Sequence, residues 1–172
     1  MADPEVVILM GSPSDWKHLQ GMVDILQTLG ITLDVHVSSA HRTPARTTAL
    51  VQSADAAGCR AFICAAGMAA HLAGAVAAQT TRPVLGVPLP GGVLDGVDAL
   101  LSTVQMPAGI PVATFAVGSA GARNAAVFAA QIVAGDRPEV RESLEALRRE
   151  GEENVRAGDL QVSAALNRGD AR

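Results

Sequence analysis

Aromatic side chains are nearly missing from this chain of 172 residues, which has three Phe, one Trp and no Tyr. That scarcity disfavours a flavin or similar stacked-ring module, because such sites hold the ring between aromatic faces. Cysteine is equally scarce. Cys59 and Cys64 lie in a spacing that matches no metal site, and without a secretory signal they are expected to be reduced and structural. Basic residues are in the minority: 13 Lys and Arg against 17 Asp and Glu give a net charge of -4. With a pI near 5.5 the chain lacks the basic stripe that nucleic acid requires, so any anionic ligand must be held locally. Long hydrophobic runs are absent too. The early apolar run 6–10 follows acidic residues and is far too short for a signal sequence or a membrane span, which predicts a cytoplasmic protein with no membrane partner.

What the chain has in quantity is small aliphatic residues. Hydrophobic side chains make up 49% of it, the mean hydropathy is +0.27, and Ala, Val and Leu must fill the interior. The length suits one domain, expected over residues 1–155 with a polar tail at 156–172. A surplus of apolar side chains on so small a unit points to subunit packing.

The unbroken apolar run Val6-Val7-Ile8-Leu9-Met10 reads as a strand buried on both faces. After Gly11-Ser12-Pro13-Ser14-Asp15, the positions Leu19, Met22, Val23, Leu26 and Leu29 mark one face of a helix ending at Gly30. A second strand is expected over 32–37, then a polar knot at 38–44, then a helix from Pro44 to about Ala57 burying Ala45, Ala49, Leu50 and Ala54. Further strands are predicted over 61–65, 84–87 and 111–117, and further helices over 72–80, 97–104 and 122–133. A last helix follows the capping-box spacing of Asp136 and Glu139 and is interrupted or ended at Gly151. Strands alternating with helices define an α/β fold, a doubly wound parallel sheet in three layers. Ligands of such folds bind beyond the carboxyl ends of the strands, where the loops after the first four strands converge.

Within the knot, Ser39-Ala40-His41-Arg42-Thr43-Pro44 pairs an imidazole that titrates near neutral pH with a permanent guanidinium. Together they suit acid/base chemistry on an anion. Ser12, Ser14 and Asp15 offer hydroxyls and backbone amides at a helix start, where an anion is favoured, although Ser14 or Asp15 could serve only as a helix cap. Asp15 would repel a phosphate and fits a ribose hydroxyl better. Of the other histidines, His71 follows a strand on the same edge and suits a pocket wall; His18 and His36 need only structural explanations. The loop Pro88-Leu89-Pro90-Gly91-Gly92 reads equally as ligand-facing or as a connector.

Taken together, Met10-Gly11-Ser12-Pro13-Ser14-Asp15-Trp16, the Ser39 to Pro44 motif, Ala69-Ala70-His71-Leu72, Leu85-Gly86-Val87-Pro88 and Val104-Gln105-Met106-Pro107 resemble the bacterial PurE family, the N5-carboxyaminoimidazole ribonucleotide mutases of purine biosynthesis. The resemblance runs over residues 6–155. It implies a flavodoxin-like sheet, a homo-octamer, a nucleotide substrate and a rearrangement that uses no cofactor and no metal, with an ATP-dependent synthase supplying the substrate. It also implies that His41 is the general acid/base and that Ser12, Asp15 and Arg42 bind the nucleotide. Ser14 and Ser39 fall in matching motifs as phosphate or ribose contacts, and Ala66, Gly67 and His71 as pocket wall. Two positions depart from the usual pattern: Met68 and Ala73 stand where glycine and proline are common. The direct carboxylase branch of the same family typically carries Lys in place of Arg42, and Arg-Ser-Asn in place of Met68-Ala69-Ala70, which favours the mutase.

Overall fold

The computed structural model describes residues 3–168. Five strands form one wholly parallel sheet in the order β2-β1-β3-β4-β5: β1 Val6–Met10, β2 Leu33–Val37, β3 Ala61–Gly67, β4 Val84–Leu89 and β5 Ala113–Thr114. This is the flavodoxin-like order, in which the chain reverses direction across the sheet between β1 and β3. Helices cover both faces. On one side α1 Trp16–Thr28, α5 Ser119–Val133 and the start of α6 Pro138–Arg168 enclose a core of Ile8, Leu19, Met22, Leu26, Ile63 and Leu85 with the alanines of α5. On the other, α2 Pro44–Ala56 and α3 Leu72–Ala77 enclose Val7, Leu9, Val51, Phe62, Cys64 and Val76. The remaining helix, α4 Val97–Val104, lies against β4. It comes so close that a Cβ on Gly86 would fall 2.4 Å from Thr103 Cγ2, which explains a glycine in mid-strand.

β1 is buried along its whole length because it is flanked by β2 and β3 and roofed on both faces. Burial of side chains such as Ile8 and Leu9 contributes about 1.5–3 kcal/mol each. Cys59 and Cys64 are both buried free thiols, and burial raises the pKa of each, so neither is a ready thiolate.

Several expectations from the sequence change in three dimensions. The fifth strand, expected over 111–117, is paired only at Ala113–Thr114. Its neighbour β4 presents Gly86 and then Pro88 toward it. Gly86 accepts the Phe115 N–H at 2.9 Å, but Pro88 has no N–H to return, so the ladder stops there. The Pro88 carbonyl takes the Gly118 N–H instead, at 2.8 Å. Conversely β3 runs two residues beyond its expected end, so Ala66 and Gly67 belong to the strand, opposite Pro88 and Leu89.

On α2 the buried stripe is Thr47, Val51 and Ala54, while Ala45 and Ala49 are exposed. The polar member of that stripe is what hid it, and Thr47 is buried because its hydroxyl meets that of buried Ser38 at 2.8 Å. The spacing of Asp136 and Glu139 forms no capping box: Asp136 pairs with Arg60, and Glu139 accepts from Arg137 Nε at 2.7 Å. Gly151 neither interrupts nor ends α6, which crosses from the expected domain into the expected tail and continues to Arg168. A glycine in an exposed helix interior costs only about 1 kcal/mol relative to alanine. The rest of that tail, 169–172, lies outside the described residues.

Candidate active site

All the site residues expected from the sequence lie on one cleft of about 570 Å³ at the carboxyl edge of the sheet, whereas Ala73 and Pro88 do not line it. The loop after β1 brings Ser12, Ser14 and Asp15, and the loop after β2 brings Ser39, His41 and Arg42. The end of β3 and its following turn bring Ala66, Gly67 and His71. The cleft sits over the boundary between β1 and β3, where the strand order reverses.

The first loop is a capping box closed on a single 3₁₀ turn, Pro13–Asp15. Asp15 Oδ2 accepts the Ser12 N–H at 2.9 Å, and Ser12 Oγ accepts the Ser14 N–H at 3.3 Å while lying 2.8 Å from Ser14 Oγ. The cap in this segment is Ser12, on the 3₁₀ turn, with Asp15 as the returning member of its box; the expectation that Ser14 or Asp15 caps the following helix does not hold, since Asp15 at the start of α1 makes no side-chain cap bond there. The Ser12 cap does not compete with a binding role, since both hydroxyls still face the cleft. Burial raises the Asp15 pKa above the usual carboxylate value, against the opposing pull of the Ser12 N–H, the His18 charge and the Ser14 hydroxyl.

That shift has a measurable sign. Below the unfolded carboxyl pKa the group is protonated in both states and contributes nothing; as pH rises through the higher folded value, ionisation is harder in the folded protein and stability falls. Asp15→Asn removes the burden. Its melting temperature, relative to the parent, is expected to rise between pH 3 and pH 7; a relative fall over that interval would contradict the burial account.

The second loop is a compact polar turn. Thr43 Oγ1 accepts the Ser39 N–H at 3.0 Å and donates to the Ser39 carbonyl at 3.1 Å, the Thr43 N–H donates to the same carbonyl at 2.8 Å, and Ser39 Oγ accepts the Arg42 N–H at 3.2 Å. With its polar groups satisfied internally, the turn holds His41 and Arg42 outward, both exposed. The Arg42 guanidinium reaches back to within 3.5 Å of the Gly11 carbonyl, bridging the first two loops. Below, the buried Ser38–Thr47 pair and the Ser38 N–H on the Met10 carbonyl at 2.9 Å anchor the turn to α2 and β1.

The third loop makes two successive three-residue turns. The Ala70 N–H donates to the Met68 carbonyl at 2.9 Å and the His71 N–H to the Ala69 carbonyl at 2.7 Å. They bring the His71 ring to 5.9 Å from that of His41, centroid to centroid, tilted by 30°. His36 is engaged by Asp34, and His18, half-buried, lies against Ser119. Both stay away from the cleft.

Sequence reasoning left open whether Leu89, Pro90, Gly91 and Gly92 face a ligand; they form the fourth wall. It also did not single out Gly11 and Ala40, which complete the floor. The usable signal was the Pro90-Gly91-Gly92 run just after a strand; both glycines take positive φ, 132° and 70°. Among the described residues no group of three His, Cys, Asp or Glu side chains is placed to hold a metal ion.

The fold is a flavodoxin-like α/β sheet, and an imidazole, a guanidinium and two hydroxyl-bearing residues converge at its switch point, a set of groups chemically suited to holding a small anion and exchanging protons with it. Residues 5–154 match the family model described as AIR carboxylase, and the chain belongs to that family. It is 49% identical over 150 residues to the N5-carboxyaminoimidazole ribonucleotide mutase of Pseudomonas aeruginosa, covering 87% of this chain and 92% of the relative. With the protein of that name from Escherichia coli K12 it shares 50% over 139 residues, 81% of this chain and 82% of the other. The crystal structure of Treponema denticola PurE superposes with a TM-score of 0.82 at 27% identity, covering 91% and 96% of the two chains.

Proposed function

We propose that this chain is an N5-carboxyaminoimidazole ribonucleotide mutase of purine biosynthesis, an isomerase that moves a carboxylate from the exocyclic nitrogen of the imidazole nucleotide to ring carbon 4. The observation that carries the reading is the meeting of His41, Arg42 and the Ser12–Asp15 turn on one cleft, in a chain half identical to proteins of that name. Arg42, Ser14 and Ser39 hold the phosphate, and Asp15 and Ser12 the ribose. Arg42 is suited to its part because its fork of donors forms charge-assisted bonds to phosphate.

His41 carries the chemistry. In its protonated form it gives its proton to the carbamate nitrogen; the N–C bond breaks with its electron pair going to nitrogen, and carbon dioxide is released into the cleft. Carbon 4 of the electron-rich ring attacks the carbon dioxide. Neutral His41 then takes the proton from carbon 4, which restores the aromatic ring and returns the imidazole to its starting state. Because the released gas is recaptured in place, a bimolecular step becomes an intramolecular one. The sequence of steps calls on no cofactor and no metal, since each proton transfer is assigned to one side chain.

The α4 face Val97, Leu101 and Val104 stands about half exposed, at 52%, 50% and 48%. This apolar stripe at helical spacing supports a homo-oligomer, taken here as the octamer, which sedimentation velocity reads directly. The cytoplasm, where an ATP-dependent synthase would supply the carbamate, is its proposed location; among the described residues no helix is long and apolar enough to cross a membrane.

The test is incubation of the purified protein with the carbamate nucleotide in the absence of ATP, following formation of the 4-carboxy isomer. Conversion well above the uncatalysed background is expected. Failure to convert would end the reading. Rapid incorporation of labelled bicarbonate into product from aminoimidazole ribonucleotide would replace it by direct carboxylation.

A further inference from the structure

Met68 follows β3 in a left-handed backbone conformation, φ 56°, and the residue is 62% exposed while lining the cleft. For a residue with a Cβ this conformation costs on the order of 1 kcal/mol or more, and glycine would occupy it without penalty. The backbone has little choice: the two tight turns starting at Met68 deliver His71 to the cleft, and Gly67 just before it is held in the β3–β4 ladder opposite Leu89. The side chain does have a choice, and it lies toward Gly92 on the facing loop. A Cβ on Gly92 would fall 3.2 Å from Met68 Cγ, so the methionine rests on the bare backbone of the opposite wall.

That opposite wall is a short loop, 90–96, rich in left-handed backbone at Gly91, Gly92, Asp95 and Gly96 and closed by the Gly96 N–H on the Gly91 carbonyl at 3.2 Å. A flexible thioether chain is suited to fill an irregular gap of this kind.

We propose that Met68 is a retention residue. Spanning from the β3 turn to Gly92, it closes the mouth of the cleft over the carbon dioxide that stands free between bond breaking and bond making. The inference rests on the mutase reading. It assigns to Met68 no proton and no contact with the phosphate, only the exclusion of a small neutral molecule from bulk solvent.

The test uses substrate labelled with carbon-13 in its carboxylate, turned over in unlabelled bicarbonate buffer by the parent protein, Met68→Gly and Met68→Leu. The parent and the leucine variant are expected to keep the label in the product. The glycine variant, relieved of its backbone strain, is expected to melt no lower than the parent yet to lose label several-fold more and to release free aminoimidazole ribonucleotide. Consumption of substrate to that decarboxylated nucleotide alone would be the same effect at its extreme. Full label retention in Met68→Gly would overturn the proposal, as would failure of that variant to consume substrate above background, because the first proton transfer does not need the closure. No turnover by the parent would instead remove the functional reading itself, and this inference with it.

Discussion

His41→Asn lowers turnover by about 10²–10⁴-fold, the usual contribution of a single acid/base group, while nucleotide affinity and melting temperature stay near those of the parent. The turn that carries His41 is held by Ser39, Thr43 and the Arg42 N–H, none of which involves the imidazole. Losing the ring therefore removes proton transfer without disturbing the display of Arg42 or the Ser12–Asp15 box. An asparagine amide keeps polarity and some hydrogen bonding but cannot give up and regain a proton near neutral pH. Because one imidazole serves both steps of the proposed reaction, release of carbon dioxide and formation of the 4-carboxy product should fall together. Arg42→Ala differs in kind: in the proposed reaction its guanidinium meets the phosphate throughout, so KM is expected to rise first and the turnover of bound substrate to change less. Near-normal turnover in His41→Asn would remove this side chain from the chemistry. An unchanged KM in Arg42→Ala would remove that one from binding.

The gathering of the candidate residues on one cleft was legible in the sequence to a greater depth than the elements around it. His41, Arg42 and the Ser12–Asp15 segment stand out because polar, turn-forming residues interrupt apolar runs, and the parallel α/β order puts all such interruptions on one edge. β1 was legible residue for residue, since a strand buried on both faces must be apolar throughout. Where expectation and structure part, a pairwise relation across the sheet decides. The end of β5 is set by the missing N–H of Pro88 on its neighbour, which no reading of 111–117 alone contains. The buried face of α2 is set by a hydroxyl pair, Ser38 and Thr47, which hydrophobic spacing cannot detect. The extension of β3 through Gly67 is a matter of its pairing with Pro88 and Leu89 on β4, which no reading of 61–67 alone contains. Met68 is the instructive intermediate: its departure from the family pattern is visible in the sequence, but its left-handed backbone and its contact with the Gly92 wall exist only in three dimensions.

Gly121→Ala should be the most damaging single-methyl change in the protein. The glycine lies in the first turn of α5, and an ideal Cβ there would fall 1.6 Å from the Ala116 carbonyl oxygen and 2.6 Å from its carbon. Neither atom belongs to a flexible side chain, so the 116–118 corner must lift from the helix. That corner is pinned by the Gly118 N–H on the Pro88 carbonyl at 2.8 Å, and it passes close to Pro90, where a Cβ on Gly118 would meet Pro90 Cδ at 3.6 Å. Relieving the clash therefore strains the bond that follows the end of the β4–β5 ladder and shifts the loop forming the fourth wall of the cleft. Overpacking of this severity costs about 3 kcal/mol or more, which for a chain of this size lowers the melting temperature by about 6–12 °C. Gly151→Ala on exposed α6, where a Cβ meets nothing within 4 Å, is the control and should raise stability by up to about 1 kcal/mol. Equal melting temperatures for Gly121→Ala and the parent would show that the corner at Ala116 yields freely, and that α5 is not held to the sheet in the way its contacts indicate.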